Sequence, residues 1–316
     1  MRWWLILLIL TVALAAAFFA ACYLSFVYTF KRRKNEISFY KGLDGNDDNG
    51  KKAFSRELID ELLAKEPTKE VYVTSFDGLK LHAYLYENDK KAPFEIACHG
   101  YRSRAMRDYS GGARECFLRG HNLLLIDERA HGKSEGKVIS FGILERLDIC
   151  AWAEYIEREY PENKIILAGV SMGAASVLMA SELSLPKNVV GIVADSPYSS
   201  PCEIIRRVSA KKGIPWVLAY PLVRLGALIF GRFNLEESSP VSAVVNSQVP
   251  ILIIHGEDDF FVPCKMSEEI KSASKSVSLE TFPSARHGLS YVVDRDRYAK
   301  ITNGFINKIL REKENI

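Results

Sequence analysis

The order of apolar and polar positions divides the chain into three stretches. From Trp3 to Phe30 no charged residue occurs, and Thr11, Ser25 and Thr29 are the small polar breaks. A helix of that length rises roughly 40 Å, more than the roughly 30 Å hydrocarbon core of a bilayer. A buried helix of a soluble protein seldom stays apolar all round for so long. Residues 1–30 therefore read as a transmembrane anchor. A cleaved signal peptide is the rival reading, because 15–21 is rich in small residues and Phe19-Ala-Ala-Cys22 resembles a lipoprotein cleavage box. The apolar run continues through 23–30, where a processed protein normally turns polar, and this favours a retained anchor. Residues 31–53 are polar and include Gly42-Leu-Asp-Gly-Asn-Asp-Asp-Asn-Gly50, too poor in apolar side chains to bury a face. They are expected to form a tether.

From residue 54 onward the pattern alternates between the periods of strands and helices. Helical spacing over 54–64 is followed by two alternating runs about Asp77-Gly78, a hairpin signal. Short apolar runs at 94–98, 122–126, 164–168, 188–194, 250–254 and 278–282 are expected as strands. Helical patterns separate most of them, at 109–119, 143–160 and 172–183, and a closing helix is expected over 291–310. A hairpin followed by strand–helix alternation predicts an α/β fold, with a mostly parallel sheet covered by helices on both faces. Residues 201–245 exceed an ordinary crossover and are rich in apolar side chains. They are expected to form a helical cap insertion over the carboxyl ends of the strands, within a domain spanning 54–316.

Composition changes little in this picture. The net charge of +3 over 316 residues gives no reason to expect nucleic acid as a partner. Six widely spaced cysteines lack the pairing of a zinc site or disulfide framework, so neither is suggested. The flanks of the anchor differ in charge: Arg2 stands alone before it, and Lys31-Arg-Arg-Lys34 follows it. The positive-inside rule then places the rest of the chain on the cytoplasmic side of a single-pass membrane protein.

Candidate chemistry enters through the pattern G-x-S-x-G, which occurs twice. Gly132-Lys-Ser134-Glu-Gly136 lies in a polar loop with no helix starting at its serine. Gly169-Val-Ser171-Met-Gly173 follows an apolar run and opens a small-residue helix, the strand–turn–helix setting a nucleophile elbow needs. Ser171 is the expected nucleophile. A serine hydroxyl needs a base, and the order Ser, Asp or Glu, His selects among six histidines. His82 and His121 read as structural, and His99, His131 and His255 as shapers of strand ends. His287, on the loop after the last strand, leaves an acid between itself and Ser171. That acid is expected among Asp195, Asp258 and Asp259, with Asp259 preferred and Asp258 the alternative.

Together, His99-Gly-Tyr, Asp127-Glu-Arg-Ala-His-Gly-Lys-Ser, Gly169-Val-Ser-Met-Gly, His255-Gly-Glu-Asp-Asp-x-x-Val-Pro and the His287 loop resemble the α/β-hydrolase superfamily. The likeness is to its esterase branch, serine aminopeptidase-like or lysophospholipase-like, and runs from about residue 71 to the C-terminus. It implies Asp259 as the acid, and the backbone N–H groups of Tyr101 and Met172 as an oxyanion hole in which their side chains need play no part. It further implies that His131 and Ser134 are structural and that no metal or cofactor is used. The expected reaction is cleavage of carboxylic esters through an acyl-enzyme, on a small or lipid-like substrate whose apolar group meets the insertion. The same triad would also serve a peptidase or amidase, or a thioesterase or lysophospholipase. A silent, membrane-attached binding module is the remaining alternative.

Overall fold

The computed structural model describes residues 2–32 and 49–312, without the side chains of 49–53. Most of the expected tether, with Arg33 and Lys34, lies outside the described residues. The strands are β1 Lys69–Thr74, β2 Lys80–Tyr86, β3 Phe94–Cys98, β4 Asn122–Asp127, β5 Ile165–Val170, β6 Val189–Asp195, β7 Ile251–Gly256 and β8 Val277–Phe282. They form one sheet in the order β1-β2-β4-β3-β5-β6-β7-β8. The β1–β2 hairpin joins β4 antiparallel, and every later pairing is parallel. β3, β4, β6 and β7 are buried at every position, as continuous apolar runs in a doubly covered sheet require.

Twelve α-helices are found among the described residues. They are α1 Trp3–Phe30, α2 Asn49–Ala64, α3 Ala105–Asp108, α4 Ser110–Leu118, α5 Glu145–Glu159, α6 Met172–Ala180, α7 Pro201–Lys211, α8 Trp216–Gly226, α9 Pro240–Ala243, α10 Lys265–Ala273, α11 Ser290–Val293 and α12 Arg295–Glu312. α5 and α6 pack on one face through Ile149, Trp152, Ile156, Val177 and Leu178. On the other, α12 buries Tyr298, Ile306 and Ile309, and α2 buries Leu58 and Leu62. The single closing helix expected over 291–310 is broken at Asp294, whose carboxylate accepts from the backbone N–H of Arg297. Aspartate there offers the first turn of α12 an acceptor that a continuous helix would not need.

The insertion holds α7 and α8, separated by Gly213 at φ +70° and Pro215, followed by a π-helical turn at Ala227–Gly231 and then α9. Its inward side chains, among them Ile204, Ile205, Val223, Ala227 and Phe233, share a core with Phe26 and Phe30 of α1. The end of α1 is thus built into the domain. Phe30 is fully buried, with ring centroids 5.9 Å from Phe141 and 5.2 Å from Phe233. Phe230 of the π turn meets Phe19, Tyr23 and Phe26 at 5.1, 5.1 and 5.8 Å. The approach depends on Gly226: a Cβ there would lie 2.8 Å from the Cys22 carbonyl oxygen.

Candidate active site

The loop after β5 turns sharply enough to force Ser171 into φ 57°, ψ −113°, a conformation that costs a non-glycine residue about 1–3 kcal/mol. Two close approaches explain its glycines. A Cβ at position 169 would lie 2.4 Å from the carbonyl carbon of Gly173, and one at 173 would lie 2.3 Å from the Cys98 carbonyl oxygen. β5 can therefore run straight into α6, with α6 pressed on the end of β3. The Ser171 N–H donates to the Asp195 carbonyl at 2.8 Å, which ties the turn to β6.

Three loops converge on the Ser171 hydroxyl. His287, after β8, has Nε2 2.8 Å from Ser171 Oγ. Its Nδ1 lies 2.6 Å from Asp259 Oδ2, after β7. Asp259 is 4% exposed, and its other oxygen accepts from the N–H groups of Phe261 and Val262, each at 2.8 Å. Burial alone would raise this carboxyl. Hydrogen bonds from His255 and His287 and from the Val262 backbone outweigh it and hold the group far below the usual carboxylate range. The other two acids sit elsewhere. Asp195 Oδ1 accepts from Ser196 Oγ at 2.8 Å, and burial raises its carboxyl. Asp258 has its N–H on the Ala285 carbonyl at 3.0 Å, and no bond between its carboxylate and His287 is found among the described residues. The serine of the second motif is buried: Ser134 Oγ donates to the Asp127 carbonyl at 2.5 Å and accepts from the His82 N–H at 2.8 Å.

Tyr101 lies on the loop after β3 that faces Ser171. Its neighbours are gripped from both sides: the Gly100 N–H donates to Asp108 Oδ2 at 2.8 Å, and the Arg102 N–H to His131 Nε2 at 2.9 Å. Met172 opens α6, so its N–H belongs to a first turn without intrahelical acceptors. The side chains of this loop reach the end of α1: the Tyr101 hydroxyl donates to the Thr29 carbonyl at 2.6 Å, and Arg102 donates to the carbonyls of Tyr28 and Lys31. Nothing in the sequence linked residues 28–31 to 101–102, since about seventy positions separate them. Asp108 was likewise unmarked, having no motif around it.

A cavity of about 410 Å³ opens at Ser171 and His287. It runs toward Leu58 and Ile59 of α2, Tyr109 and Tyr291, and no residue of 201–245 lines it. The expectation that the insertion supplies the acyl pocket therefore fails. The inward apolar residues of the insertion are occupied by packing against α1 and the core.

One cluster has metal-like composition. His99, Glu128 and His131 are buried, with potential ligand atoms within 4.8 Å of one another. Both rings are already committed. His99 Nδ1 pairs with the Gly100 carbonyl and Nε2 accepts from the Glu128 N–H, while His131 Nδ1 pairs with the Arg129 carbonyl and Nε2 accepts from Arg102. No imidazole lone pair is left for a cation.

Comparison with known proteins bears on the fold and its general class of chemistry. Residues 94–233 match the family described as serine aminopeptidase, S33, and residues 213–303 match the dienelactone hydrolase family. The uncharacterized protein YqkD of Bacillus subtilis is 25% identical over 275 residues, 81% of this chain and 90% of its own length. The esterase Pf2001 of Pyrococcus furiosus superimposes with a TM-score of 0.64 at 25% identity, over 79% of this chain and 93% of that one. Est1E of Butyrivibrio proteoclasticus, solved with ferulic acid bound, shares the fold at a TM-score of 0.59 and 22% identity, over 76% and 99% of the two chains. With an eight-stranded, mostly parallel sheet and these relatives, the chain has the α/β-hydrolase fold and is a hydrolase similar to the esterase-like families of that fold.

Proposed function

We propose that the protein is a serine esterase in which Ser171, His287 and Asp259 form the catalytic triad. The observation that carries this reading is the unbroken relay from Ser171 Oγ through both imidazole nitrogens to Asp259, at 2.8 and 2.6 Å, on a strained turn at a helix N-terminus. His287 Nε2 takes the hydroxyl proton as Ser171 Oγ bonds to the ester carbonyl carbon. The N–H groups of Tyr101 and Met172 hold the resulting oxyanion. Collapse breaks the bond to the alkoxide, which receives the proton from His287, and water enters by the same route to release the acid. Asp259 keeps its negative charge throughout and steadies the imidazolium.

Residues 1–30 are proposed to cross the membrane once as a retained anchor, with the hydrolytic domain on the cytoplasmic side. One fact supports retention: Cys22, which a lipoprotein pathway would modify, is 1% exposed, and its carbonyl packs against Gly226 of the insertion.

The test is labelling of the full-length protein with a fluorophosphonate probe. Wild type and Ser134→Ala should label, and Ser171→Ala should not. Equal labelling of Ser171→Ala, or no labelling of wild type, would remove the assignment. A panel of ester, thioester and amide substrates on the labelling-competent protein then separates esterase from thioesterase and amidase.

A further inference from the structure

Several apolar side chains of the insertion are exposed. Ile214, Val217, Leu218, Leu228 and Ile229 are 47, 76, 64, 38 and 47% exposed. Single exposed apolar residues are ordinary, but five on two adjoining turns-and-helix segments are not. Their location relative to α1 is informative. A hydrocarbon core of about 30 Å takes about 20 residues of helix, and counted from Trp3 it ends near Cys22. Phe230, next to Leu228 and Ile229, packs on Phe19 and Tyr23. In a bilayer crossed by α1 from Trp3, Leu228 and Ile229 would lie level with the boundary near Cys22. Lys211, Lys212 and Arg232 are exposed beside it, where anionic headgroups would sit. The side chains of Arg207 and Lys211 bind the Phe260 carbonyl, and Phe260 and Phe261 are 67 and 44% exposed. The Phe261 ring stands 5.2 Å from that of His287 at the cavity mouth.

We propose that Ile214–Leu218, Leu228–Ile229 and Phe260–Phe261 form a surface that enters the interfacial layer of a phospholipid bilayer, so that the active site draws membrane-dissolved, single-chain esters directly from it. This rests on the esterase and anchor readings above. Its test uses the full-length protein in phosphatidylcholine–phosphatidylglycerol vesicles. A benzoylphenylalanine photocrosslinker at Val217 or Leu218 should give lipid adducts, and one at Leu118, exposed on α4, should not. Val217→Glu with Leu218→Glu should lower kcat/KM for a long-chain ester in vesicles at least tenfold and change a soluble short-chain ester less than twofold. Absence of adducts at 217 and 218, or equal effects on both substrates, would overturn the proposal. Loss of all esterolysis in wild type would instead sink the esterase reading, and the crosslinks would still report on the surface.

A separate set of contacts carries a second inference. The last carbonyls of a helix have no partner within it; in α1 that of Phe30 accepts from the Ile139 N–H, and those of Tyr28 and Thr29 are taken up by the loop that bears the Tyr101 N–H. Tyr101 Oη donates to Thr29 O, and Arg102 donates to Tyr28 O at 2.8 Å and Lys31 O at 3.0 Å. The Tyr101 ring also stacks on Phe141 at 4.8 Å, which in turn meets Phe30. We infer that the carboxyl end of the anchor positions the oxyanion loop, with Tyr101 and Arg102 as positioning residues. In the full-length protein, Tyr101→Phe and Arg102→Ala should each lower kcat about 10- to 100-fold, a fraction of the effect of deleting an oxyanion donor. KM should stay within threefold, the thermal midpoint should hold, and Arg102→Lys should recover part of kcat. Unchanged kcat in both variants, or a loss that follows the melting temperature, would refute it.

Discussion

Asp259 meets four demands with two oxygens: Oδ1 accepts two backbone N–H groups, and Oδ2 faces His287 at 2.6 Å and His255 at 3.3 Å. Its folded-state affinity for protons lies below the unfolded value, so its stabilising effect is complete above the ordinary carboxylate range and disappears only as pH falls through the depressed value. It therefore stays charged throughout the working range. Asp259→Asn should lower kcat about 10⁴-fold, the size of an acid-to-amide change in such triads, as measured by kcat/KM from pH 5 to 9. Glu128 has the opposite sign. Both its oxygens are buried without a hydrogen-bond partner, and burial, with Glu145 and Asp148 nearby, raises its carboxyl well above the usual range. Wild type must then lose stability as pH rises from the unfolded glutamate value toward that raised one. Glu128→Gln should remove this loss, giving a thermal midpoint that exceeds wild type at pH 8 more than at pH 5.

Among the elements, the contact between α1 and α8 depends most on a single residue. Gly226 lets the backbone of Cys22 come within van der Waals range, and a Cβ would also lie 3.1 Å from that of Phe26. Gly226→Leu should force the two helices apart and cost about 1–3 kcal/mol, as overpacking does, visible as a lower melting temperature in vesicles. Element identity was largely readable from the sequence. The runs at 94–98 and 122–126 are β3 and β4, with β4 extending to Asp127, because an apolar strand between two helical layers has one burial pattern. Boundaries were less readable. Asp294 breaks the last helix, and Gly213 with Pro215 splits the insertion, through local capping and backbone effects that periodicity does not register.

For the whole molecule, α1 is both the segment proposed to cross the membrane and part of the core. Phe26 and Phe30 are 6 and 0% exposed in the cluster that holds Met172. Burial of one such ring is worth about 1.5–3 kcal/mol, so losing both approaches the lower end of a typical domain's stability. A chain starting at residue 33 should melt at a clearly lower temperature or aggregate, whereas one starting at residue 20 should keep the cooperative transition of the full-length protein in detergent. Differential scanning calorimetry of the three forms would decide this.

The sequence by itself determined the sheet, its alternation with helices, and the residues Ser171 and His287, with Asp259 preferred among three acids, that the fold brings together. Each of these depends on local pattern: period, glycine spacing, and the order of motifs along the chain. Only the tertiary structure decided that the insertion lines no part of the cavity, that the end of α1 meets the loop at Tyr101, and that His99 and His131 have no nitrogen left for a metal. Those outcomes depend on which distant surfaces meet, and a side chain that can pack inward, outward or against another helix has the same letter in the sequence in every case.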